Sequence, residues 1–133
     1  MVINNIEREE KMENFLKIDE KLKNRIYSED DLLVYLTSIN DSILYNTLCE
    51  IARIKVKNSQ IIDKVINIAS GADEVSEKGF IGTSIRIVAI ATLKSLGKNE
   101  IYQSLNEDEK KYVKGVYFQN SWPKSIDTPM SST

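Results

Sequence analysis

The chain has 133 residues, enough for one domain whose core needs no metal or disulfide staple. Its composition is 41% hydrophobic and 29% charged with only 5 Gly and 2 Pro, and so few turn residues argue for long helices and against an all-β domain. Eighteen basic against twenty acidic residues leave a formal charge of −2, which gives no overall attraction to nucleic acid or to an anionic membrane.

The first predicted helix spans 4–26. Asn4 can cap it with Glu7 three positions on, and Glu7–Lys11, Glu13–Lys17 and Asp19–Lys23 have the spacing of helpful i,i+4 pairs. Its apolar stripe is thin (Met12, Phe15, Ile18, Leu22, Ile26), as suits an end cap. A second helix, 29–39, opens at Ser28 with Asp30 and Asp31 in its first turn, and turns Leu32, Leu33, Leu36 and Ile39 inward. Asn40-Asp41 breaks and recaps the chain. The third helix, 42–56, faces Ile43, Leu44, Thr47, Leu48, Ile51 and Ile54 to the core. Asn58-Ser59 begins a fourth, 60–70, with Ile61, Ile62, Val65 and Ile68 on one face and Gly71 as its stop.

Residues 72–82 read as a loop, with two glycines and three carboxylates. Thr83-Ser84 then cap a fifth helix, 85–96, which is apolar nearly all round and is therefore predicted to be central. A short helix after Asn99 carries Ile101, Tyr102 and Leu105. Asn106 with Glu109 opens the last helix, whose Tyr112, Val113, Val116, Tyr117 and Phe118 would close the far end. The expected organisation is a single helical domain over 1–120, with capping helices at 4–26 and 107–120 around helix pairs at 28–106. Residues 121–133 hold both prolines and read as a flexible tail, with Trp122 its one large aromatic.

The apolar spacing repeats. Leu32-Leu33-x-x-Leu36-x-x-Ile39 recurs as Ile61-Ile62-x-x-Val65-x-x-Ile68 and, truncated, as Ile101-Tyr102-x-x-Leu105. Between these A helices, Ser42-Ile43 through Ile54 aligns with Ser84-Ile85 through Leu96, so the order is A-B-A-B-A. The spacings by themselves also fit an irregular six-helix globule. The stretch Ser84-Ile85-Arg86-Ile87-Val88-Ala89-Ile90-Ala91-Thr92-Leu93-Lys94-Ser95-Leu96-Gly97 resembles the second helix of a HEAT repeat, with Arg near its start, a small Ala one turn later and Leu-x-x-Leu-Gly at its end. The resemblance covers about residues 28–106. It implies an all-α fold: a short right-handed stack of six to seven helices in antiparallel pairs. The first B helix departs from the pattern, with Leu44 where Arg would stand and Thr47 where Ala would stand.

Chemistry finds few footholds. His is absent, which removes the commonest general base and metal ligand, and one Cys with no His cannot supply a usual zinc site. No glycine-rich phosphate loop and no EF-hand spacing occurs. The lone Cys49 fits a reducing compartment, and no apolar run approaches the ~18 residues of a membrane span, so a cytoplasmic protein is expected. No cofactor or metal is expected. A carboxylate-dependent enzyme would have to use Asp73, Glu74 or Glu77, on which nothing else converges in sequence. The expectation is therefore a non-enzymatic protein-binding module, such as an immunity-type inhibitor or an adaptor subunit. Its surface would comprise outward B-helix positions (Asn46, Glu50, Arg53, Thr92, Ser95) and the acidic loop with Asp73, Glu74, Glu77 and Phe80. The alternative is a nucleic-acid-binding stack in which Arg53, Lys55, Lys57, Lys64, Arg86, Lys94 and Lys98 converge, against which the net charge argues. Tyr27, Tyr35 and Tyr45, close in sequence, suit either an interface or a core groove.

Overall fold

The computed structural model describes the backbone of residues 5–71, 79–80 and 83–117, and side chains within 14–71 and 84–116. It is all-helical in class. The helices are α1 (Asn5–Lys23), α2 (Glu29–Tyr35), α3 (Asp41–Ile54), α4 (Ser59–Ala69), α5 (Ile85–Ser95), α6 (Glu100–Ser104) and α7 (Glu107–Tyr117). Where a plain loop was expected, Gly79–Phe80 (β1) and Thr83–Ser84 (β2) pair as a two-residue antiparallel ladder, and β1 lies against α3. The Asn4 cap, the pairs of Glu7 and Glu13, Met12, the side chains of Tyr117 and Phe118, and the tail at 121–133 lie outside the described residues.

The helix starts follow their caps. Ser28 and Asp31 form a complete capping box at α2, with Asp31 N–H donating to Ser28 Oγ at 3.1 Å and Ser28 N–H to Asp31 Oδ2 at 3.0 Å. Asn40 Oδ1 accepts from Ile43 N–H, Asn58 Oδ1 from Gln60 and Ile61, Ser84 Oγ from Ile87, and Asn106 Oδ1 from Glu109.

The helix ends depart from the sequence reading, each for a local reason. α1 stops at Lys23 because Arg25 takes the left-handed conformation (φ 60°), which throws Ile26 off the apolar stripe and leaves it 62% exposed. α2 stops at Tyr35, four residues early. The Thr37 hydroxyl donates to the Val34 carbonyl at 2.6 Å and Ser38 Oγ accepts from Asn40 N–H, so side chains compete with the helical ladder. Ile39, expected inward, is 66% exposed as a result. At the end of α3, left-handed Lys55 lets Val56 N–H reach the Ile51 carbonyl. Val56 is then buried in place of Ile54, which was expected inward. Gly71 and Gly97 (φ 79° and 80°) supply the same turn after α4 and α5.

Packing gives two layers. α3 lies between α1 and α5, and α5 between α3 and α7; on the other side α2 packs on α3 and α4, and α4 packs on α5. This neighbour order is compatible with a helical repeat in which α2–α3 and α4–α5 are successive pairs. α5 is the centre: Ile85, Val88, Ala89, Ile90, Ala91 and Thr92 have no exposed surface, and Ile87 retains only 8%. Ala89 and Ala91 allow close approach of neighbouring helices, while burial of each Ile contributes about 1.5–3 kcal/mol. α7 closes this side with Val113 and Val116; Tyr112, expected in the same contact, lies off that narrow stripe and is 66% exposed.

Candidate functional site

The outward face of α3 holds Asn46, Glu50 and Arg53, and the structure commits all three to contacts within the chain. Asn46 Nδ2 donates to Asp19 Oδ1 on α1 at 3.1 Å, and Ser42 Oγ donates to the other oxygen of the same carboxylate. Asp19 thus ties α1 to α3, where an i,i+4 pair with Lys23 was expected. Glu50 sits at the centre of a second cluster. It accepts from Tyr27 Oη at 2.6 Å and from both Arg53 Nε and Nη2, and Arg25 Nε lies 3.8 Å away. The side chains of Glu50 and Arg53 are only 12% and 17% exposed. Burial, then the bond to Glu50, pushes the Tyr27 hydroxyl from its ordinary 10.0 up to about 12. The hydrogen bonds to Glu50 hold the Arg53 guanidinium above its usual value. Next to this cluster, burial raises the Cys49 thiol from 9.0 to about 12, so it is an inert packing group. Tyr35 is buried, and Tyr27 and Tyr45 pack against the core.

Of the two B-helix positions expected outward on α5, one is displaced inward. Thr92 is fully buried, its hydroxyl donating to the Val88 carbonyl at 2.9 Å and lying 3.4 Å from that of Leu48, so it cannot meet a partner. The reason is the packing of α5 on every neighbour at once. Ser95 is half-buried, and its hydroxyl donates to the Ala91 carbonyl. Asp73, Glu74, Glu77 and the side chain of Phe80 lie outside the described residues.

The surface that sequence reasoning missed is in the other layer. α6 has only five residues, packs on α5, and falls where the sequence reading put a truncated third A helix. A groove of about 550 Å³ opens there, with Ile62, Ile66, Leu93 and Ile101 as its apolar lining and Lys57, Ser59, Asp63, Lys98 and Glu100 around them. A sequence signal existed. The apolar residues of α4 include Ile66 as well as the stripe already noted, an arc wider than α5 alone can cover, and the third A copy is truncated. A smaller notch of about 340 Å³ adjoins Lys57 at the turn end of the pairs, lined by Lys55, Val56, Lys94, Ser95, Leu96 and Gly97. Of the seven cations considered for a basic face, Lys55, Lys57 and Lys94 meet in this notch and Lys98 lines the groove. Arg53 is paired with Glu50, and Arg86 with Glu109 on α7 at 3.2 Å.

Among the described residues no group of three or more His, Cys, Asp or Glu side chains could hold a metal ion, and no helix is long and apolar enough to cross a membrane. No protein-family model, curated protein or solved structure matches this chain.

Proposed function

We propose that this chain is a non-enzymatic protein-binding module, a short HEAT-like stack that engages its partner through the groove between α4 and α6. One observation carries the reading: the five-residue α6 leaves Ile62, Ile66 and Ile101 lining an open groove beside the stack's most buried helix. A groove of this size with an apolar lining and a charged surround has the make-up of a recognition pocket for partner side chains. A stand-alone binder of this kind suits an inhibitor that masks a toxin or nuclease, or an adaptor subunit. The test is affinity capture of the tagged chain from its native cells, run alongside Ile62→Ser/Ile66→Ser. Loss of the captured protein with helical circular dichroism retained supports the groove. Capture that survives this variant but is lost on charge reversal at Asp73, Glu74 and Glu77 moves the interface to the acidic loop.

A second reading, a nucleic-acid-binding stack, is favoured by the lysines that line the notch. It requires duplex DNA binding at low salt with a steep salt dependence.

A further inference from the structure

Resting on the groove reading, we infer the chemistry of its occupant: a short amphipathic protein segment with an apolar side chain flanked by carboxylates. The apolar requirement comes from Ile62, Ile66, Leu93 and Ile101, which offer an incoming chain no polar anchor of their own. The acidic requirement comes from the turn end. Lys55, Lys57 and Lys98 are exposed and make no ion pair among the described residues. Lys57 lines both the groove and the notch, so cationic and apolar surfaces are continuous rather than two separate patches.

Two carboxylates, Asp63 and Glu100, also line the groove, but among the described residues the notch has none. The field is therefore polarised along the track, from mixed charge over the isoleucines to positive charge at the turns. A bound segment places its apolar residue among the isoleucines and its acidic residues over Lys57 and Lys55, which fixes its direction. A basic segment meets like charge at the notch and is rejected. A nucleic acid satisfies the lysines and leaves the isoleucines unused.

The experiment is selection of a displayed library of random dodecapeptides on the full chain, followed by fluorescence anisotropy of the enriched peptides. Wild type is compared with Ile66→Ser and with Lys57→Glu/Lys98→Glu, each checked for retained helicity. Enriched peptides combining a large apolar residue with Asp or Glu, and losing about tenfold or more in affinity against each variant, are expected. Peptides that need Ile66 but carry no acidic residue and ignore the lysine variant overturn this inference and leave the groove module standing. Absence of any peptide sensitive to Ile66→Ser overturns both. A duplex oligonucleotide that binds through the lysines, indifferently to Ile66→Ser, also overturns the acidic-segment assignment.

Discussion

α3 and α5 pack side by side, and the neighbour order is compatible with their taking corresponding places in successive pairs, yet they spend their sequences differently. α5 buries eight of its eleven residues and is packed by neighbours on all sides; α3 buries six of fourteen and turns a polar face to hydrogen-bonded side chains from α1 and the turn before α2. Position in a repeat therefore does not decide what a helix offers outward. A helix packed against α3, α4 and α7 at once keeps little open surface, and what it keeps is at its C-terminal turn, where Leu93, Lys94 and Ser95 line the groove and notch. The open groove falls beside the five-residue α6, and that is where we propose the partner binds.

The contrast can be broken most sharply at Ile90, fully buried in α5. Ile90→Ala is expected to destabilise the fold by about 2–5 kcal/mol, read from urea unfolding. A loss no larger than that of an exposed position would mean that α5 is not the centre. Next comes Glu50→Ala on α3. It leaves Arg53 and the Tyr27 hydroxyl with no acceptor in a mostly buried cluster, at an expected cost of about 1–3 kcal/mol. Tyr27→Phe should cost less, since the ion pair survives.

The two raised acids of this region give a pH signature. In the unfolded chain the Cys49 thiol loses its proton near 9.0 and the Tyr27 hydroxyl near 10.0, whereas both keep it to about 12 when folded. The unfolded state then binds fewer protons across this window, so stability is complete below pH 9 and falls from there to about 12. Cys49→Ala should delay the onset towards pH 10, and an unfolding midpoint unchanged across the window would contradict a buried, protonated thiol. The smallest effect is expected at Asn99. It precedes α6 without capping it, and its Oδ1 is buried with no hydrogen-bond partner among the described residues. Asn99→Ala should therefore be neutral within about 0.5 kcal/mol or slightly stabilising, unlike Asn58→Ala, which removes a working cap worth about 1 kcal/mol.

The helical class, the caps at Ser28, Asn40, Asn58, Ser84 and Asn106, and the central place of α5 were legible because capping chemistry and hydrophobic period are local signals. The helix ends were less so. Left-handed Arg25 and Lys55 carry no glycine to announce them, and the Thr37 and Ser38 hydroxyls that stop α2 look the same in a helix interior. The expected site suffered for a related reason. Helical phase places Thr92 opposite the α4 contact, but only tertiary packing shows that this side is also covered. The groove needed one further fact that no window of sequence contains: which faces of α4 and α5 a five-residue helix fails to reach.

α7 packs on the outer side of α5, with Val113 and Val116 buried and Glu107, Asp108, Lys111 and Lys114 exposed. At the opposite end α1 likewise shows water Lys17, Glu20 and Lys21. Two such molecules meeting end to end would have to strip hydration from charged groups to gain only thin apolar contact. The charge on these two outer helices therefore disfavours end-to-end association of two copies.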